Sequence, residues 1–171
     1  ILLRPLDRIL AAPFVNGAFA RVFRDDGRVA RNGFFAYTEG VRGGAIVEQR
    51  DLDGDGTPET IAADGGMIRV YRDGVEIRSF TPFGTAYRSQ LAFAVGDLDR
   101  NGTWEIVVAQ RDRGALLGIF NLMEGRLLSP YAVPFGTRWT RGMTGALARR
   151  LSGSRPDIIV GAGSGVPPEV R

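Results

Sequence analysis

The chain has no cysteine, no histidine and no lysine. Without cysteine there is no disulfide framework and no thiol chemistry, so cysteine usage leaves the cellular compartment open. Without those three residue types, the commonest general bases, nucleophiles and Schiff-base formers are missing. Paired carboxylates remain as a route to acid–base chemistry. All 22 basic residues are arginine, scattered along the chain, with Arg149-Arg150 the single adjacent pair. The net charge of +3 is modest, and no basic stripe with interleaved aromatics is present, which argues against a nucleic-acid partner. No run approaches the ~20 apolar residues of a membrane helix. The chain begins without Met and without a signal-peptide pattern, so residue 1 is expected either to follow a cleavage site or to continue a longer sequence.

What is present is glycine, 24 residues in 171, and a hydrophobic fraction of 44% that suffices for a core. Gly, Pro and β-branched residues recur too often for helix through the body of the chain. The most informative segments are two acidic loops. The first reads Asp51-Leu52-Asp53-Gly54-Asp55-Gly56-Thr57-Pro58-Glu59, the second Asp97-Leu98-Asp99-Arg100-Asn101-Gly102-Thr103-Trp104-Glu105. Oxygen side chains stand at positions one, three, five and nine of both, a spacing that suits a hard cation wrapped by a tight loop. An EF-hand shares the first three acids but requires Glu at position twelve, where this chain has Ala62 and Val108. The residues after the second loop, Ile106-Val107-Val108-Ala109, are apolar and β-prone, so the ninth residue closes the loop and a strand begins. A solvated acidic turn is the alternative for either copy alone, since Asp-Gly pairs are common hairpin turns. Two copies in register favour metal.

The loops start 46 residues apart, and their flanks keep the same spacing: Phe34-Phe35-Ala36-Tyr37 falls on Phe80-Thr81-Pro82-Phe83. Three short alternating segments run into turns, at Ala20 to Gly27, Ile68 to Gly74 and Gly118 to Gly125, each a hairpin signal. Phe135-Gly136-Thr137 matches Phe83-Gly84-Thr85 at a spacing of 52, which places Arg149 where Asp97 stood, with Leu151 and Gly153 replacing the next two acids. Only Asp157 keeps its carboxylate, and the strand after it survives as Ile158-Ile159-Val160. This third copy is expected to keep the fold and lose the metal, its six extra residues falling between Gln110 and Leu116. Periods of 40–50 residues with four strands per unit indicate propeller blades. A β-sandwich with coincidental spacing is the alternative. The recurring aromatics Phe34, Phe35, Tyr37, Phe80, Phe83, Phe93 and Phe135 read as packing between units. Trp104 and Trp139 stand outside that register; rim packing is favoured over a partner or sugar contact. Residues 1–10 have the apolar spacing of a short amphipathic helix, either packing on the first blade or serving as a docking or membrane-surface element.

These residues resemble the FG-GAP/VCBS repeat family, known from the propeller of integrin α subunits and from many bacterial secreted proteins. Phe83-Gly84 and Phe135-Gly136 look like its Phe-Gly element. Gly161-Ala162-Gly163 looks like its Gly-Ala-Pro element, with Gly in place of Pro. Asp51 to Glu59 matches its calcium loop in full; Asp97 to Glu105 matches with Asn101 in place of the third Asp. The resemblance implies two structural Ca2+ sites, in loops between strands of each blade. Side chains of Asp51, Asp53, Asp55 and Glu59 with the Thr57 carbonyl would hold the first ion. Asp97, Asp99, Asn101 and Glu105 with the Thr103 carbonyl would hold the second. It also implies an extracellular, cell-surface or periplasmic location, where millimolar calcium is available.

The expected fold is therefore all-β, with β-propeller blades: about three repeats of four short strands, part of a larger or oligomer-completed propeller. Residues 1–12 form an N-terminal apolar segment or linker. Residues 13–171 form the repeats, as units 13–62, 63–108 and 109–162, with the start of a further unit at 163–171. Four carboxylates in the first loop repel one another until a cation reverses the sign, so binding energy becomes folding energy. With one carboxylate fewer, the second loop is expected to bind more weakly. Asp53→Ala is expected to cost stability in calcium and little without it. The expected function is non-enzymatic: a calcium-stabilised module for protein–protein interaction, adhesion or assembly, with a protein partner or neighbouring subunits. A carbohydrate-binding, lectin-like propeller with a glycan partner and a scaffold part of a secreted hydrolase are the alternatives.

Overall fold

The structure, a computed structural model, describes residues 8–11, 19–23, 26–35, 46–148, 155–167 and 169–171. Among these residues there is no helix; twelve strands form four antiparallel sheets. The first sheet runs β1 (Arg8–Ala11), β2 (Phe19–Phe23), β3 (Val29–Phe35). The second is a four-stranded meander of β4 (Ile46–Arg50), β5 (Glu59–Asp64), β6 (Met67–Arg72) and β7 (Val75–Phe80). The third pairs β8 (Leu91–Gly96), β9 (Glu105–Gln110) and β10 (Leu117–Asn121), and bridges at Phe120–Leu127 and Leu117–Ala132 supply a fourth, irregular edge. The fourth pairs β11 (Met143–Ala148) with β12 (Asp157–Ala162), to which Val170 bridges at Gly161.

Turn chemistry sets these meanders. Between β6 and β7 the two central residues, Asp73 and Gly74, both have positive φ, 50° and 82°. That is the type I′ geometry whose twist matches the flanking strands, and Asp and Gly are the residues that tolerate it. Asp26-Gly27 makes the corresponding turn before β3, where the Asp26 carboxylate accepts from the Arg28 amide at 2.9 Å.

The sheets stack face to face through two cores. One holds Ile61, Ile68 and Val70 of the second sheet against Leu91, Phe93, Val95, Ile106, Val108 and Phe120 of the third. The other holds Ala92, Val107, Ala109 and Leu117 of the third sheet against Met143 and Val160 of the fourth. Successive side chains of a strand point to opposite faces. Ile106 and Val108 therefore serve one core, Val107 and Ala109 the other, and all six residues of β9 are buried. The leading strands neighbour one another, β1 beside β4, β4 beside β8 and β8 beside β11. Radial sheets with their first strands innermost are how propeller blades are arranged, although no closed ring is formed by the described residues. Adjacent sheets approach closely at glycine. A Cβ on Gly66 would lie 1.9 Å from the Tyr87 carbonyl oxygen, and one on Gly142 would lie 2.0 Å from that of Arg111.

Several expectations change. Arg8–Ala11 is strand β1, paired along its length with β2, not part of a helix; hydrogen bonds to a neighbouring strand outweigh a helical spacing too short to nucleate on its own. Residues 1–7 lie outside the described residues, as do Tyr37 and residues 149–154 of the third acidic-loop copy. The extra length of the third repeat is divided. The β9–β10 connection spans 111–116 where β5–β6 needs only Gly65-Gly66. The next hairpin turn takes four residues, Leu122 to Gly125, closed by the Asn121–Arg126 hydrogen bond. Trp139 proves to be in register. The turns Thr81–Gly84–Tyr87 and Val133–Gly136–Trp139 carry the same two backbone hydrogen bonds, so Trp139 occupies the place of Tyr87. Its ring stacks on Phe135 at 4.8 Å, and its indole N–H donates to the Gly142 carbonyl at 2.8 Å. Trp104 packs against the first core.

Candidate metal centre

Both acidic loops join the first strand of a sheet to the second, β4 to β5 and β8 to β9. Each ends on a Glu that opens the second strand, and Asp157 opens β12 in the same way. Glu59 and Glu105 are 0% and 2% exposed, the most deeply buried carboxylates described. Burying a carboxylate is costly unless it is hydrogen-bonded or paired. Here one oxygen reaches back across the loop: Glu59 Oε2 accepts from the Leu52 amide at 2.9 Å, and Glu105 Oε2 accepts from the Leu98 amide at 2.7 Å. The ninth residue thus ties the loop shut at its second.

The first acid of each loop organises the turn. Asp51 accepts from the Gly54 and Gly56 amides at 2.7 and 2.9 Å. Asp97 accepts from the Asn101 and Gly102 amides, both at 3.1 Å. Gly56 and Gly102 have φ of 85° and 84°, the left-handed backbone that lets the chain curl around these carboxylates. The curl brings Asp51, Asp53 and Glu59 together, and likewise Asp97, Asp99 and Glu105, each trio with one oxygen apiece lying within 4.8 Å of the others. Asp55 directs its carboxylate to the Thr57 amide at 2.6 Å. In the second loop Asn101 Oδ1 accepts from the Thr103 amide and hydroxyl at 2.7 and 2.6 Å, while its Nδ2 donates to Asp99 at 2.9 Å.

All these donor atoms are oxygens, and hard divalent cations take carboxylate and carbonyl oxygen. Each trio could hold one cation, consistent with two sites. The chemistry does not suit a soft, thiolate-binding metal, since the chain has neither cysteine nor histidine.

One neighbour had no signal in the loop motifs. Arg72, at the end of β6, donates from Nε to Glu59 Oε1 at 2.8 Å and from Nη2 to Asp53 Oδ2. Both carboxylates hold the guanidinium protonated, pushing its pKa further up, with the Glu59 hydrogen bond the larger cause. Its role depends on the β5–β6 register, in which Thr60 faces Tyr71, and that pairing cannot be read from the loop sequence.

Fold and site together define an all-β repeat protein in which the second and third sheets each set an acidic loop between their first two strands. Residues 51–108, from the first acidic loop through β9, match the family model of the FG-GAP-like repeat. That stretch is similar to the repeat, which implies a β-propeller and is generally an interaction module. No solved structure matches the chain.

Proposed function

We propose that this chain is a calcium-stabilised, non-enzymatic β-propeller module for protein–protein interaction, adhesion or assembly outside the cytoplasm. The observation that carries this reading is the repetition of one built loop. Two equivalent turns each gather two Asp and a buried Glu on one potential ion. Asp51, Asp53 and Glu59 would hold the first Ca2+, with Asp55 and the Thr57 carbonyl completing it. Asp97, Asp99 and Glu105 would hold the second, with Asn101 and the Thr103 carbonyl. A bound ion supplies positive charge that joins the acids of the turn, and the Glu at the head of the following strand passes that restraint into the sheet. In both loops the first Asp and the closing Glu accept from backbone amides of the turn itself, which suits a structural site more than a catalytic one. An extracellular or periplasmic location is part of the same proposal, since calcium sites of extracellular modules bind at about 10⁻⁴ to 10⁻³ M. With Trp139 packed on Phe135 in the place of Tyr87, the aromatics offer little to a sugar.

Calorimetric titration with calcium, with a melting curve at each point, tests this. Two bound ions and a rise in Tm are expected. Absence of binding would reduce the loops to acidic turns and remove the support for an extracellular setting.

A further inference from the structure

The first loop has a cation from a neighbouring strand on two of its acids. The Arg72 guanidinium spans Glu59 and Asp53, two of the three carboxylates gathered there. The corresponding place beside the second loop is neutral. Glu105 faces Asn121 across β9 and β10, and Asn121 Oδ1 is engaged with the Glu124 amide at 2.9 Å. Among the described residues no ion pair reaches Glu105; its free oxygen accepts only the Thr103 hydroxyl, at 3.1 Å.

We propose that Arg72 is a tethered competitor for the first calcium site, filling it when the ion is absent and yielding its carboxylates when the ion binds. This rests on the calcium reading above and adds a regulation to it. Three features suit Arg72 to the part. It is held at the mouth of the loop by the tight turn at Asp73-Gly74. Its side chain is 43% exposed, so it can swing into solvent without disturbing the core. Its two partners each keep a second oxygen on a backbone amide, Leu52 for Glu59 and Asp55 for Asp53, so the loop stays shaped during the exchange. The consequence inverts the ranking by charge. The first loop, with four acids, stays ordered without calcium and takes the ion less avidly than its charge suggests. At the second loop the residue facing the closing Glu is the neutral Asn121, so no cation competes from that position.

The test uses the whole chain carrying Asp99→Ala, which leaves the first loop as the binding site, with and without Arg72→Met. Methionine keeps the apolar stem and drops the charge. Calcium itself is the probe, read by calorimetry, with Tm measured in chelator. Arg72→Met should tighten first-loop calcium binding by up to about fivefold, the equivalent of one exposed ion pair, and lower the Tm in chelator. Arg72→Lys, which keeps a charge but cannot span both carboxylates, should fall between and serves if the methionine variant does not fold. Calcium affinity that is unchanged or weaker in the Arg72 variants would overturn the competitor and leave the metal reading standing. No calcium binding in any variant, the parent included, would overturn both.

Discussion

Replacing Asp99 by Ala separates the metal from the fold. The carboxylate is exposed and accepts from the Asn101 amide at 3.2 Å and from its side chain at 2.9 Å. Exposed bonds of this kind contribute little, so the loss without calcium is below about 1 kcal/mol. With calcium the loss is larger. A site with a dissociation constant of about 10⁻⁴ to 10⁻³ M stabilises the fold by about 1.4–2.7 kcal/mol at roughly 10 mM ion. For a chain of this size each kcal/mol moves Tm by about 2–4 °C, so the variant should forfeit roughly 3–10 °C of the calcium-induced rise. The assay is a pair of melts, in excess chelator and in roughly 10 mM calcium, for parent and variant. An equal Tm loss in both buffers would refute the reasoning, because the carboxylate would then be acting only on the turn. Asp53 is a poorer probe than the sequence suggests. Its ion pair with Arg72 adds a calcium-independent loss to that of the metal.

Ile106→Ala, at a fully buried β9 position in the first core, should cost about 2–5 kcal/mol by urea denaturation at any calcium level. Tyr87 is half-buried, its hydroxyl shared between the Gln90 and Arg113 carbonyls at 3.0 and 3.2 Å. Burial first, then the Asp112 charge, pushes its pKa from 10.0 up to about 12. A raised folded-state value means the stability is fully present below pH 10 and is lost as pH climbs towards 12. Alkaline melts of the parent should show that decline, and Tyr87→Phe should flatten it. Burial likewise raises the Glu48 carboxyl above 4.5, against the opposing pull of Arg50 at 2.5 Å. Its contribution is favourable below that pH and fades as pH rises through the folded-state value, so Glu48→Gln should melt higher than the parent at pH 7 and no higher at pH 4.

The strands and loops were legible because their signals are local. Asp73-Gly74 announces its turn, and Glu59 and Glu105 close their loops at the ninth position, as the spacing implies. What the sequence hid depends on register between strands. Arg72 reaches the first loop only because β6 pairs with β5. Trp139 looked irregular only beside Trp104; the 52-residue spacing that matches Phe83 to Phe135 already sets it on Tyr87, and the matching turns at Gly84 and Gly136 bear that out. Arg8 to Leu10 misled for a related reason. Their apolar spacing fits a helix, but an available strand partner, β2, outweighs a short periodic pattern. The grouping into sheets was also hidden, since a repeat can be cut at any point of its period. The matched span 51–108 begins and ends mid-sheet.

The burial of every residue of β9 makes the third sheet a keystone. Each of its neighbours leans on one face of it, so the array resembles a row of coupled units in which the third sheet carries an interface term on each side. Opening a flank exposes half of β9; opening the middle strips both flanks at once. Glu105 is the first residue of that strand. An ion captured at the second loop would therefore act at the point of the row where one local event is felt on both sides, and fraying that began at either flank would have to stop there.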